Sequence, residues 1–228
     1  MVMPTETCHA CDNNCILIKA LSESERKILL QRATQVSYRK KEMLFKQGNF
    51  QTSLFLLKSG LVKTFMERRN EKNLILRIAV ANEFINLPSF LQPTYEFSAI
   101  TLCNSEVCII PIDDVRQLLE KKAELSQLIL TEYSRLSSFL LQRMVSVGTK
   151  QMHGRLADVI LYLCSKDFEN SNIFEYLSRK DIAEIAGMSV EGSIRLLTEF
   201  KNDGLINMNG KHITINNMEL MQRLSEIG

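Results

Sequence analysis

The chain has 228 residues, of which 45% are hydrophobic and 24% are charged, and its formal net charge is +2 at pH 7. These values exclude an intrinsically disordered chain, because they provide enough apolar side chains for one large domain or two small ones. No apolar run approaches the roughly 18 residues that cross a bilayer, and the first residues lack the pattern of a secretory signal. We therefore expect a cytoplasmic protein with no membrane partner, whose six cysteines are thiols or metal ligands rather than disulfides.

The N-terminal segment, residues 1–20, contains three closely spaced thiols: Cys8, Cys11 and Cys15. A helix is predicted to follow, because Ser22 and Glu25 stand three residues apart in a capping-box pattern. From about residue 36 to 111, short runs rich in branched and aromatic side chains alternate with turn residues. These runs predict an antiparallel sandwich or barrel, with strands at 42–45, 53–57, 61–66, 74–78, 99–102 and 106–110.

A long helix is predicted over about 112–147, and with the strands it would complete a domain spanning 21–147. Its apolar residues recur at steps of three and four and cover more of the circumference than one buried surface needs. One side can pack on the β domain. The other side favours the same helix of a second chain in a coiled-coil seam, although a helix inside a larger bundle is an alternative.

Residues 148–228 form a second predicted domain of short helices and a hairpin, entered through a hinge at Val147-Gly148-Thr149. Within it, Ser178 begins one helix, Gly187 supplies a sharp turn and Ser189 begins the next helix. The Asn209-Gly210-Lys211 stretch predicts a hairpin turn. Two short helices, a glycine turn and a hairpin indicate a winged helix-turn-helix that binds double-stranded DNA.

The second helix of this motif would read the bases. Glu191 and Arg195 are expected on its outward face near the N-terminus, where an arginine can bind guanine and a glutamate can accept from cytosine. The alternative is an ion pair on a solvated helix face. Residues 150–228 contain nine lysines and arginines against eleven aspartates and glutamates, so DNA contacts would depend on local placement. The predicted DNA-binding residues are Arg179, Lys180, Ser189, Val190, Glu191, Ser193, Arg195 and Lys211.

The β segment, the long helix and the motif from Leu177 to Arg195 together resemble the CRP/FNR family of bacterial transcription regulators over nearly the whole chain. The resemblance implies an α+β fold: a cyclic-nucleotide-binding-like β-roll (jelly roll), a long dimerisation helix and a C-terminal winged helix-turn-helix. It also implies a homodimer on an inverted repeat, RNA polymerase as a partner, and no enzymatic activity. Val190 matches the valine of FNR-type recognition helices, which implies TTGA-like half-sites. Ile194 departs from the usual serine and leaves the outer bases open.

Cyclic AMP is not an expected effector. In the cassette of cAMP-binding relatives, a carboxylate and an arginine hold the ribose and the phosphate. Phe97 occupies the arginine position here and no carboxylate occupies the other, so a buried phosphate would lack its cation. The corresponding stretches, which would line an effector pocket of another kind, contain Asn86, Leu87, Phe97, Ser98 and Ala99.

FNR-type oxygen sensors hold a [4Fe–4S] cluster with four cysteines, and this resemblance implies a candidate ligand set of Cys8, Cys11, Cys15 and Cys108. The second gap, between Cys11 and Cys15, is shorter than in FNR itself. A zinc site completed by His9 or Cys103, and no metal at all, are alternatives.

Three further readings stay open. Haem could use His153 and Met66, although a lone histidine is more often structural. The regulator could respond to an organic effector or to none. A cupin-like enzyme would need several histidines at one metal, and residues 36–111 contain no histidine.

Overall fold

The computed structural model describes residues 4–7, 21–68 and 73–228, and the α+β class is confirmed. The described residues form two compact units. The first comprises residues up to Met66 together with Arg77–Phe139, and the second comprises Leu140–Gly228 with the described part of Glu67–Leu76. Within the described ranges, no helix is both long and apolar enough to span a membrane.

Two four-stranded sheets are built from the described residues before Ile112. The strands are β1 (Pro4–Thr7), β2 (Thr34–Tyr38), β3 (Met43–Phe45), β4 (Ser53–Ser59), β5 (Val62–Met66), β6 (Leu74–Ala79), β7 (Ser98–Thr101) and β8 (Ser105–Pro111). Their orders are β1-β2-β8-β4 and β3-β7-β5-β6. The six runs predicted as strands match β3 to β8 with ends that differ by at most two residues. Runs of branched and aromatic residues bounded by turn residues therefore located the strands well.

Aromatic rings from both sheets fill the space between them. Phe45 on β3 stacks on Tyr95 with ring centroids 4.2 Å apart and meets Phe55 on β4 at 5.2 Å. Phe97 approaches the same ring of Phe45 at 5.8 Å. All four side chains are at least 94% buried. Pairs in these tilted and offset geometries each add about 0.5–1.5 kcal/mol beyond the area they bury.

Among its described residues this part of the chain contains three α-helices: α1 (Glu23–Arg32), α2 (Ile112–Lys121) and α3 (Ala123–Thr149). The capping box at the start of α1 is confirmed. One continuous helix was expected over about 112–147, and the structure instead divides this stretch at Lys122, whose backbone is extended. The division is stabilised locally, because the Ser126 hydroxyl donates to the Leu119 carbonyl at 2.8 Å and occupies an acceptor that α2 leaves free.

A charged network ties the β-roll to α3. The Glu83 carboxylate accepts from the guanidinium of Arg77 at 2.7 Å and from that of Arg135 on α3 at 2.9 Å. Burial raises the pKa of Glu83, but Arg77 and Arg135 outweigh it and the pKa lies below its ordinary value. The side chain therefore stays ionised at neutral pH and holds both cations in place.

The second unit contains the last turns of α3, five further helices and a two-stranded hairpin among its described residues. They are α4 (Met152–Leu163), α5 (Ile173–Tyr176), α6 (Arg179–Ala186), α7 (Val190–Asn202), β9 (Ile206–Asn209), β10 (His212–Ile215) and α8 (Met218–Ile227). The hairpin is where the sequence predicts it, but Asn209 pairs with His212, so the turn consists of Gly210 and Lys211.

Candidate nucleic-acid interface and signal site

The helix α6 begins with the capping box that the sequence predicts. The Ser178 side-chain oxygen accepts from the Asp181 backbone N–H at 3.1 Å, and the Asp181 carboxylate accepts from the Ser178 backbone N–H at 2.8 Å. These reciprocal bonds satisfy donors that a helix N-terminus otherwise leaves without partners. The start of the motif is thus determined by four consecutive residues.

The turn between α6 and α7 depends on Gly187. Its φ of +62° lies in the left-handed region, and its N–H donates to the Ala183 carbonyl at the end of α6. A Cβ at this position would lie 3.0 Å from Cγ1 of Val147 on α3, which is tighter than ordinary contact. After the turn, Ser189 caps α7 by accepting from the Gly192 N–H at 3.1 Å. Glycine is therefore required both by the backbone and by the close approach of α3.

The inward face of α7 is apolar except for one hydroxyl. Its buried side chains are Ser193, Leu196, Leu197 and Phe200. Ser193 was expected to contact DNA, and this expectation is wrong because the residue has no exposed surface. Steps of three and four residues place Ser193 on the same helix face as Leu196 and Phe200, away from solvent.

The outward face of α7 presents Glu191 and Arg195, both exposed and one helical turn apart. Neither side chain is paired with another group in the described part of the chain, so the alternative of an ion pair between them is not observed. Val190 is half-buried beside them. Ile194 is 46% exposed on this face and was not among the predicted DNA contacts. It follows Glu191 by three residues, and this spacing indicates that the two side chains share one helix face.

The remaining basic candidates surround the motif. The Arg179 guanidinium donates to the carbonyl of Gly210 in the hairpin turn at 3.4 Å, and the Lys211 ammonium donates to the Glu175 carbonyl at 3.4 Å. Lys180 is exposed and lies 3.8 Å from Glu184. The hairpin turn is therefore bonded to the start of α6 through Arg179 and to α5 through Lys211.

The predicted effector residues lie inside the β-roll. The Asn86 amide accepts from the Phe55 N–H at 2.8 Å and donates to the Ser53 carbonyl at 2.9 Å. The Ser98 hydroxyl accepts from the Gln47 N–H at 2.9 Å. Leu87, Phe97 and Ala99 are buried as well. The two polar side chains therefore bond to backbone groups, and none of the five residues carries a positive charge that could hold a phosphate.

Cys108 is fully buried on β8, where it pairs with Gln35 of β2 and with Leu56 of β4. Cys8, Cys11 and Cys15 lie outside the described residues. The strand β1 ends one residue before Cys8, and its Thr7 pairs with Thr34, which pairs with Ile109. Two strand spacings amount to about 10 Å. The backbone of Thr7 therefore lies about 10 Å from that of Ile109, the residue next to Cys108.

Other candidate ligands have different surroundings. The His153 Nε2 atom lies 3.0 Å from a carboxylate oxygen of Glu199, and Met66 is 41% exposed at the end of β5. Cys103 lies 4.0 Å from the Ser105 hydroxyl. Across the ranges that the structure describes, no three histidine, cysteine, aspartate or glutamate side chains converge as a metal site.

Two family models match the chain. Residues 35–122 match a model described as a cyclic nucleotide-binding domain, and residues 154–224 match one described as a Crp-like helix-turn-helix domain. These ranges correspond to the β-roll with α2 and to the winged motif.

Curated relatives are transcription regulators. The chain is 29% identical to the transcriptional activator protein anr of Pseudomonas aeruginosa over 181 residues, which cover 78% of this chain and 74% of that protein. It is 27% identical to the fumarate and nitrate reduction regulatory protein of Vibrio cholerae over 226 residues, which cover 94% and 89%.

Solved structures share the fold. FixK2 from Bradyrhizobium japonicum aligns with a TM-score of 0.77 and 18% identity, covering 84% of this chain and 96% of that one. A CooA variant from Carboxydothermus hydrogenoformans aligns with a TM-score of 0.75 and 16% identity, covering 96% and 99%. The β-roll, long helix and winged helix-turn-helix expected from the sequence are thereby confirmed.

The geometry of the turn predicts the cost of adding a side chain to Gly187. We expect Gly187→Ala to reduce the free energy of unfolding by about 2–3 kcal/mol, from about 1 kcal/mol for the left-handed backbone and the rest for the contact with Val147. Chemical denaturation measures this loss. Gly204→Ala is the matched control, because Gly204 has a φ of +71° but nothing within 4 Å of an added Cβ. Equal losses in the two variants would contradict the close approach of α3.

Proposed function

Because the chain belongs to the CRP/FNR family of DNA-binding transcription regulators, we propose that it binds an inverted repeat in double-stranded DNA as a homodimer. The observation that carries the proposal is the exposed face of α7, where Glu191 and Arg195 are available to base edges. Such a role places the protein in the cytoplasm with DNA, and its expected further partner is RNA polymerase. The family and the relatives are regulators, not enzymes.

Base reading in this proposal is divided among three residues. Arg195 donates to the O6 and N7 acceptors of a guanine, and Glu191 accepts from a cytosine amino group on the opposite strand. Val190 makes apolar contact with thymine methyl groups. Together they favour TTGA-like half-sites, while the exposed Ile194 adds an apolar contact next to Glu191. Lys180 and the wing residue Lys211 are placed to contact phosphates, which position the motif without reading sequence.

Arg179 has a supporting role in the proposal. Its guanidinium already donates to the Gly210 carbonyl, so it holds the wing while remaining near the DNA-facing side of α6. Ser189 likewise acts first as the cap of α7. Its position at the helix N-terminus, where backbone N–H groups point outward, favours contact with a phosphate.

Dimerisation is supported by a second face of α3. Leu125, Ile129 and Leu136 are buried on one side of the helix. Large apolar side chains on another side are between 44% and 66% exposed: Leu130, Tyr133, Leu141, Met144 and Val145. At 100° per residue these five fall within an arc of about 120°. Such an arc, repeated at steps of three and four, suits pairing with the same helix of a second copy.

The signal is proposed to be redox. The β-roll residues that correspond to a cAMP cassette contain no cation and already bond to the backbone, so a nucleotide phosphate is disfavoured. Relatives are named anaerobic regulatory proteins, for example in Haemophilus influenzae and Pasteurella multocida. Four cysteines, Cys8, Cys11, Cys15 and Cys108, are available to hold a [4Fe–4S] cluster, and such a cluster supplies sensitivity to oxygen. If no cluster is found, the alternatives are an organic effector, haem or no effector.

We propose that two sets of residues connect the redox signal to DNA binding: the cluster cysteines, and a charged network between the β-roll and α3. A cluster held by Cys8, Cys11, Cys15 and Cys108 would join the N-terminal segment to β8, which lies in the same sheet as β1 and β2. The network of Arg77, Glu83 and Arg135 connects the β-roll to α3, which carries the exposed dimer face. The functional division, with the DNA-binding domain from residue 148 to the end, stays a prediction.

Base reading predicts a specific loss in Arg195→Ala. We expect binding to a duplex that carries two TTGA half-sites to weaken at least about 30-fold, with relaxed preference at the guanine, because about 1–3 kcal/mol is lost at each half-site. Fluorescence anisotropy at fixed salt measures both quantities. Arg223→Ala is the control, since Arg223 is exposed on α8 and outside the motif. Unchanged selectivity in Arg195→Ala would remove that residue from base recognition.

The exposed face of α3 predicts that Leu141→Glu prevents dimerisation. Two carboxylates facing each other across an apolar seam are costly, so this variant should sediment as a monomer at concentrations where the natural chain is a dimer. The control is Gln142→Glu, which adds the same charge at the next residue, outside the apolar arc. Sedimentation velocity separates the two cases. Persistence of the dimer in Leu141→Glu, or a monomeric natural chain, would count against this interface.

The cluster proposal predicts colour. Protein purified without oxygen should absorb broadly at about 400 nm and contain about four irons per chain. Cys108→Ala should lose both, while Cys164→Ala should retain them. Cys164 is a suitable control because burial raises the pKa of its thiol to about 11, and it donates to the Ile213 carbonyl. A colourless, iron-free natural chain would favour an organic effector, or none, over the cluster.

A further inference from the structure

Two backbone carbonyls at the end of α6 are bound by arginines from other helices. The Ile185 carbonyl accepts from the guanidinium of Arg143 on α3, and the Gly187 carbonyl accepts from that of Arg155 on α4 at 3.0 Å. The last carbonyls of a helix have no partner within it, and its C-terminal dipole attracts cations. Both arginines therefore hold the backbone of the turn that precedes the recognition helix.

Four residues in the last two turns of α3 and just after them share one side of the chain. Arg143, Ser146, Val147 and Lys150 are spaced by three, four and seven residues, which places them on one side of a helix. Val147 lies so close to Gly187 that a Cβ added to Gly187 would be 3.0 Å from the Cγ1 atom of Val147. The end of α3 thus touches the helix-turn-helix by a carbonyl bond and by packing at adjacent positions.

A carboxylate on α4 holds the other half of the same α3 face. The Lys150 ammonium lies 2.9 Å from both carboxylate oxygens of Asp158, and the Ser146 hydroxyl donates to one of them. The hydroxyl of Ser225 on α8 donates to the other oxygen. Asp158 therefore bonds to Ser146 on α3, to Lys150 just after that helix and to Ser225 on α8.

Arg143 is an unusual residue for a purely structural contact. Burial lowers the pKa of its guanidinium, and the neighbouring Tyr162 and Asp158 only partly offset that effect. Its Nε atom is buried without a hydrogen-bond partner. The guanidinium is part-buried, and leaving its buried Nε–H without a partner is costly. An arginine nevertheless provides what an apolar side chain would lack, a hydrogen bond to the Ile185 carbonyl.

We infer that Arg143 is a positioning residue that fixes the turn before the recognition helix to the last two turns of α3. This inference rests on the proposed function, because it assigns to α3 the spacing of the two recognition helices in a dimer. If the last turns of α3 also contribute to the dimer seam, the position of α7 against those turns contributes to the separation of the two α7 helices. The separation that DNA requires is about 34 Å, one helical turn.

The consequence is a difference between one half-site and two. Arg143 does not contact bases, so binding of one motif to one half-site should not depend on it. Simultaneous binding to two half-sites depends on their separation, and loss of the Ile185 bond allows α7 to vary in position. The affinity for an inverted repeat should then fall, and the preference for one spacing should weaken.

The experiment compares Arg143→Gln with Arg143→Lys and with the exposed control Arg223→Gln. Each full-length dimer is titrated, at one salt concentration, with duplexes that carry one half-site or two. The double-site series varies the spacer in steps of one base pair around the spacing that the natural chain prefers. Thermal unfolding of each variant is recorded in parallel, so that stability and positioning are separated.

We expect Arg143→Gln to bind the best-spaced inverted repeat about tenfold more weakly, to keep its single half-site affinity, and to lose much of the dependence on spacing. Arg143→Lys should recover part of both effects, since an ammonium donates one bond without the fork of a guanidinium. The control should match the natural chain. An unchanged spacing profile in Arg143→Gln overturns the inference, whether its affinity is unaltered or falls equally on both kinds of duplex with a lower melting temperature.

The proposed function fails in a different way in the same experiment. A natural chain that does not distinguish TTGA-containing duplexes from scrambled ones contradicts sequence-specific binding itself. A natural chain that binds one half-site and two half-sites equally contradicts the dimer. Either result for the natural chain also removes the basis of the role assigned to Arg143. Loss of positioning alone differs from both, because it changes the spacing dependence of the Arg143 variant and leaves the natural chain selective.

Discussion

The left-handed turn at Gly187 is the constraint on which the DNA-binding unit depends. It ends α6, directs the chain into α7, and leaves no Cβ between the backbone and Val147 of α3. Because the turn also exposes carbonyls of α6, cations from α3 and α4 can bind them. The left-handed backbone at Gly187 thus sets the direction of the recognition helix, and it also allows the turn to pack against α3.

The β-roll shows how a ligand-binding architecture can be filled by its own side chains. Stacked aromatic rings occupy the space between the sheets, and Asn86 and Ser98 satisfy backbone groups of neighbouring strands. Asn86 and Ser98 stabilise this interior because the backbone N–H groups that they accept from would otherwise be buried without a partner, which is costly. A cyclic nucleotide would have to displace these bonds and would find no cation among these residues, so the signal is better sought at the cysteines.

The helix α3 contributes to both compact units, and its different faces have different partners. One side is buried, Arg135 bonds to Glu83 of the β-roll, the final turns contact the helix-turn-helix, and an apolar arc is exposed. A helix of 27 residues provides enough length for all of these surfaces.

The sequence by itself determined the features that depend on neighbours along the chain. Capping boxes at Ser22 and Ser178, the strand alternation, the turn at Gly187 and the outward direction of Glu191 and Arg195 follow from short-range geometry, and the structure bears them out. Recognition of the family followed from the same residues. Only the tertiary structure showed that Ser193 has no exposed surface while Ile194 is 46% exposed. It also decided the binding of Arg179 to the wing and the use of Arg143 as a cap for Ile185. These features depend on groups tens of residues away, and no local pattern specifies which distant carbonyl or helix will be close enough to bond.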